Sequence, residues 1–121
     1  MNFLFAGLYA LTGLVFVAIG LLTKKFPPKK INWWYGYRTP RSMKNQDTWT
    51  EANRFASELS QKIGWVLITI GVAASIVFRK LYDANLILFF IFLMFSALLM
   101  FVLTEKHLAF LFDKEGKRIS R

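Results

Sequence analysis

Gly36-Tyr37-Arg38-Thr39-Pro40, followed by Trp49, Asn53 and Arg54, holds the residues of this 121-residue chain best suited to bind a ligand. Gly36 permits a sharp backbone turn and Pro40 stiffens the exit from it. Arg38 and Arg41 straddle the turn. A guanidinium forks onto a carboxylate or phosphate, and the amide of Asn53 donates and accepts beside it. Trp49 and Asn53 are four residues apart, so on a helix they share a face. Such a set suits a lipid headgroup or a peptide carboxylate. The structural alternative is that Arg38 ties the loop to helix-terminal carbonyls, since buried polar clusters in membranes also serve as scaffolding.

Other chemistry is thinly supplied. The chain has no cysteine and one histidine, His107. A single imidazole with Glu105 nearby is a poor metal-ligand set, and an interfacial residue past a helix end accounts for it. Asp113 and Glu115 read as solvated charges of the tail. Ser42 and Ser60 have no histidine arranged to activate them. An enzyme would have to draw its acid and base from Asp47, Glu51 and His107, whose spacing suggests no site. The expectation is a binding protein with no catalytic residue, no metal and no cofactor.

These residues lie in the one long polar stretch, Asn32–Arg54, between apolar runs. Phe3 to Leu22 is 20 residues without charge, a helix of about 30 Å, the thickness of a hydrocarbon core. The basic cluster follows this run instead of preceding it, which favours a stable span over a cleaved signal peptide. Lys24, Lys25, Lys29 and Lys30 bracket Phe26-Pro27-Pro28, where the prolines stop the helix. Those lysines suit anionic phospholipid headgroups, and Trp33, Trp34, Tyr35 and Tyr37 suit the headgroup level. Thr48 and Glu51 match a capping box with Thr48 as N-cap, and Asp47 complements the helix dipole. Ala52, Ala56, Leu59 and Ile63 then recur at helical steps, an amphipathic helix lying on or entering the membrane. With no proline between, it is free to run on into the second apolar stretch, with or without a bend near Gly64.

Ile63–Phe78 is a second span, in which Gly71 and Ser75 form a small-xxx-small pair suited to close helix approach. A short connection, Arg79–Asn85, leads to a third span from Leu86 to Leu103. Beyond it, Leu108–Phe112 either extends the helix or lies at the surface. The expected fold is all-α: one membrane domain with spans at about 3–22, 63–78 and 86–103, and an interfacial amphipathic helix in the 24–62 loop.

Residues 24–62 carry nine Lys or Arg and the tail from 104 carries five, against two in the 79–85 connection. Three spans put the two basic regions on one face, so loop and tail are expected in the cytoplasm and the N-terminus outside. This accounts for the net charge of +9 without nucleic-acid binding. The spans contain no Asp, Glu, Lys, Arg or His, which argues against a proton-coupled pump.

The Gly36–Pro40 run, with Trp49 and Asn53-Arg54 ahead of an apolar helix, resembles the SdpI family of small bacterial inner-membrane proteins. That family is typified by an immunity protein against a secreted killing peptide. The pattern is G-[IY]-R-T-P, a polar stretch, then W-x-x-x-[HN]-R. Asn53 stands where the typifying member has His, and Ser57 where a Gly often follows the Arg. The resemblance implies resistance to a toxin peptide, with Gly36, Arg38, Thr39, Pro40, Trp49, Asn53 and Arg54 as the binding residues. It also implies, in some members, capture of a cytoplasmic repressor. Longer members have more spans, which suggests homo-oligomerisation or a reduced function for three. The rival reading is a small oligomeric transporter or permeability factor, distinguished by solute flux in proteoliposomes.

Overall fold

The computed structural model describes residues 2–120; Met1 and Arg121, the latter one of the five tail cations, lie outside it. Three helices make the fold: α1 (Phe3–Lys25), α2 (Gln46–Val77) and α3 (Tyr82–Leu111). Each is long and apolar enough to cross a membrane. Among the described residues the only β pairing is an isolated bridge between Phe112 and Arg118.

α1 starts where the side chain of Asn2 accepts from the Phe5 N–H and ends with Lys24 and Lys25 in its last turn, where cations suit the dipole. Pro27 and Pro28 prevent its continuation. The capping box of α2 lies three residues before the expected one. Asn45 is the N-cap: its Oδ1 accepts from the Thr48 N–H at 2.9 Å, and the Thr48 hydroxyl accepts from the Asn45 N–H at 3.0 Å. Thr48 therefore occupies N3, and Glu51 is left on the helix flank to make other contacts. The amphipathic segment and the second span form one unbroken helix of 32 residues, about 48 Å long. Its first half carries the polar residues and its second half is the apolar span. α3 extends beyond the Leu86–Leu103 run at both ends and takes up Leu108–Leu111.

α1 and α2 run antiparallel with their backbones in close approach. A Cβ on Gly64 would lie 2.5 Å from the Gly13 carbonyl oxygen, and one on Gly71 would lie 2.1 Å from Cγ of Tyr9. Gly71 thus does admit a close neighbour, and the fully buried Tyr9 ring fills that space. Further along, the Ser60 hydroxyl donates to the Phe16 carbonyl at 2.6 Å, and the Asn2 N–H donates to the Ser75 carbonyl at 3.0 Å. Small residues at a helix seam favour such packing in lipid, where no hydrophobic drive holds helices together.

α3 is attached mainly near its ends. At its start the Asn85 amide donates to the Phe78 carbonyl at 2.6 Å, and Phe89 and Phe92 pack on Tyr9. At its end Leu108 and Phe112 bury against Ala52 of α2. The tail then turns back through Gly116, at φ +82°. There the Asn45 amide donates to the Gly116 carbonyl at 2.7 Å, and Arg118 reaches Asp47 at 3.0 Å. The 26–45 loop, the first half of α2 and the tail accordingly meet at one end of the bundle.

Candidate functional site

Asn53 joins the loop to α2. Its Oδ1 accepts from the Tyr37 N–H at 2.6 Å, while its amide donates to the Trp49 carbonyl at 2.9 Å. Gly36 comes just before, at φ +108°. A Cβ there would meet Asn53 Oδ1 at 2.6 Å and Pro28 Cγ at 2.7 Å. Both conformation and space therefore require glycine. One turn back, Trp49 is fully buried and its indole N–H donates to the Pro28 carbonyl. Trp49 and Asn53 do share a face, and that face clamps the two arms of the loop, at Pro28 and at Tyr37.

Glu105 of α3 clamps the next part. Its Oε1 accepts from the Tyr37 hydroxyl and from the Thr39 hydroxyl, each at 2.7 Å. Its Oε2 accepts from Arg41 Nε at 3.1 Å. Burial, and then the Glu105 hydrogen bond and charge, push the Tyr37 phenol far above its usual range. Behind this, the buried Ser42 hydroxyl accepts from the Thr39 N–H at 2.8 Å and donates to the Tyr37 carbonyl at 3.2 Å. Pro40 is exposed on the turn between.

Arg38 differs from both of its neighbours. It is exposed, and it has no hydrogen-bond or ion-pair partner among the described residues, so it does not tie the loop to helix-terminal carbonyls. It borders two open cavities. One, of about 680 Å³, is shared with Ile31, Trp33, Pro40 and Met43. The other, of about 350 Å³, runs between Trp34, Asn53 and the end of α1. Trp33 and Trp34 are 83% and 80% exposed, whereas Trp49 is wholly enclosed.

Arg54 belongs to a separate group. It pairs with Glu51 and, at 3.4 Å, with Glu58. Glu51 also accepts from His107 Nε2 at 2.8 Å, and the imidazole stacks on Phe55 with centroids 4.1 Å apart. The Arg54 hydrogen bond holds the Glu51 carboxyl below its usual range, against the opposing effect of burial. Arg54 opens onto a cavity of about 320 Å³ with Lys24, Lys29 and Glu58, not onto those bordering Arg38; Asn53 lines both sides.

The structure thus brings Gly36, Trp49 and Asn53 together as a clamp and ties Thr39 to α3. It presents Arg38 and Pro40 outward and sets Arg54 apart. Sequence reasoning missed Glu105 and Tyr37 as partners, because 68 residues separate them. The available signal was a carboxylate directly after an apolar run in a chain whose loop is rich in hydroxyls and arginine.

The model of the SdpI/YfhL protein family matches residues 29–104, which include the clamp, Arg38 and Glu51 but stop one residue short of Glu105. The uncharacterized protein YfhL of Bacillus subtilis (strain 168) is 42% identical over 105 residues, covering 86% of this chain and 87% of that protein. No solved structure matches the chain. Three membrane-length helices, a family model spanning most of the loop-bearing region and a relative matched over nearly its whole length lead to one assignment: this multi-pass membrane protein belongs to the SdpI/YfhL protein family.

Proposed function

We propose that the protein confers immunity or resistance against a secreted toxin peptide, acting by binding or signalling through the 24–62 loop. Family membership supports the class. The observation that carries the mechanism is Arg38: an exposed guanidinium without a partner among the described residues, between two residues that are both tied to Glu105. Fixing the neighbours while leaving the cation free preorganises it for a carboxylate, and Trp33 and Trp34 offer apolar surface beside it. In this reading the protein is not an enzyme and uses neither metal nor cofactor. Trp49, Asn53, Gly36 and Thr39 hold the loop, Arg38 and Pro40 face the ligand, and Arg54 fixes the neighbouring face of α2.

The same reading places loop and tail on the cytoplasmic side of the bacterial inner membrane, with the N-terminus outside. Lys24, Lys25, Lys29 and Lys30 then meet anionic phospholipid. The chain has no cysteine, so a single cysteine introduced at Lys29 or Lys80 reports sidedness with an impermeant thiol reagent. The functional test is survival of a sensitive strain expressing the protein in spent medium from a toxin-secreting strain. Protection by the wild type and its loss in Arg38→Ala, at equal membrane abundance, is the expected result. Equal survival of the two would remove Arg38 from the mechanism.

A further inference from the structure

Between the two attachment points of α3, a groove of about 300 Å³ opens on the lipid-facing side of the α2–α3 contact. Leu59, Lys62, Val66 and Ile70 of α2 and Phe95 and Leu99 of α3 line it. Its wall is apolar apart from Ser96, whose hydroxyl donates to the Phe92 carbonyl, and Lys62 near one end, which stands exposed and without an ion-pair partner among the described residues. From Leu59 to Ile70 the helix rises about 16 Å, close to the depth of one hydrocarbon leaflet.

The position of Lys62 along the bundle is fixed by its neighbours. Lys24 reaches Glu58 at 4.0 Å, and Lys62 lies four residues, about 6 Å, nearer the apolar end of α2. Trp65, 57% exposed, follows. A lysine and a tryptophan at this depth mark the boundary between headgroups and hydrocarbon. The groove therefore starts at the headgroup level and runs inward. A cation at the headgroup level with an apolar wall about one leaflet long behind it matches a glycerophospholipid, with its phosphate at the lysine and an acyl chain along the wall.

We infer that this groove is a binding site for one anionic glycerophospholipid, with an acyl chain between α2 and α3 and its phosphate on Lys62. The preference for an anionic lipid follows from charge. Residues 24–62 carry nine Lys or Arg, and a zwitterionic headgroup would bring its own cation into that field. A lipid in this place bridges the part of α3 that its end contacts leave open. The site is independent of whatever the loop recognises.

The test is native mass spectrometry of the full-length protein released from micelles. These are doped with phosphatidylglycerol or phosphatidylcholine of identical acyl chains. The wild type should retain one phosphatidylglycerol at least about fivefold more than phosphatidylcholine. Lys62→Ala should erase that preference and Lys62→Arg should restore it. Val66→Phe, which fills the groove from an exposed position, should lower retention of both lipids with an unchanged helical circular dichroism spectrum. A preference that survives Lys62→Ala would place the lipid on the Lys24–Lys30 cluster and overturn the site. Undiminished retention in Val66→Phe, equal retention of the two lipids by the wild type, or a dimer or copurified peptide in place of lipid would overturn it too.

Discussion

α1 and α2 meet backbone to backbone, whereas α3 is joined to them by side chains gathered near its ends. In the first contact, Gly13 lies on Gly64, Tyr9 fills the space over Gly71, and Gly20 lies against Ser57. In the second, Asn85 holds one end and Glu105, Leu108 and Phe112 hold the other, with an open groove between. Both contacts are made where lipid removes the usual hydrophobic gain from association, and they solve that problem differently. The α1–α2 seam relies on close van der Waals contact over its length. The α3 attachment adds polar bonds to apolar burial near its ends, and the bonds of Glu105 are the ones that shape the loop. Changes to the seam should therefore act on the whole fold, and changes at the end of α3 should act on the loop first.

The largest effect is expected from Gly64→Leu. Its added carbons meet the Gly13 carbonyl and Val17 at 2.5 Å, and backbone cannot step aside as a flexible side chain can. Overpacking costs about 1–3 kcal/mol and occasionally more, and contact with backbone puts this site at the upper end. It should appear as a lowered unfolding midpoint in denaturing detergent, together with loss of every loop contact. A folded Gly64→Leu protein with a normal midpoint would break the contrast between the two contacts.

Glu105→Ala comes next. It leaves the Tyr37 and Thr39 hydroxyls and the Arg41 guanidinium without their common acceptor, a loss of about 1–3 kcal/mol. The expected signature is local: faster tryptic cleavage after Arg38 and Arg41, with α1 and α2 still protected. Global unfolding instead would mean that the loop supports the seam.

Tyr37 sharpens the same point through pH. Its phenol is raised when folded, so its contribution to stability is complete below the ordinary value of 10.0 and falls away as pH rises beyond it. Glu105→Gln removes the charge while keeping an acceptor. Burial remains the first cause of the shift, so the Tyr37 titration should move down yet stay above the ordinary value. Difference spectra against Tyr37→Phe measure it; an unmoved titration would detach Glu105 from Tyr37.

The spans and the polar stretch between them were legible because charge-free runs of membrane length are written in consecutive residues. The Gly36 turn and the shared face of Trp49 and Asn53 were legible for the same reason, being set by local conformation and helical period. The start of α2 was harder. Asn45 and Thr48 each suit an N-cap, each has a suitable N3 residue, and the choice depended on Asn45 also meeting Gly116 of the distant tail. Glu105 was out of reach because its partners lie on a loop whose path is fixed only after α3 packs. Arg38 alone shows why: nothing in its neighbours' identities separates the cation left free from Arg41, which is bound.

The smallest effect is expected at the Glu51–Arg54–His107 group, where α3 also meets α2 but through partly solvated charges. The Glu51 carboxyl is lowered when folded, first by its Arg54 hydrogen bond and, more weakly, by His107. Its contribution is therefore present above the ordinary value of 4.5 and is lost as pH falls through the folded value. Half of the Arg54 side chain is exposed, and solvent screening limits such pairs to under about 1 kcal/mol. The wild-type midpoint should drop slightly between about pH 5 and pH 3, while Glu51→Gln, with no charge to lose, should lack that step. A large acid-induced loss confined to the wild type would show that this group, not Glu105, fastens the end of α3, and the order of the two contacts would have to be reversed.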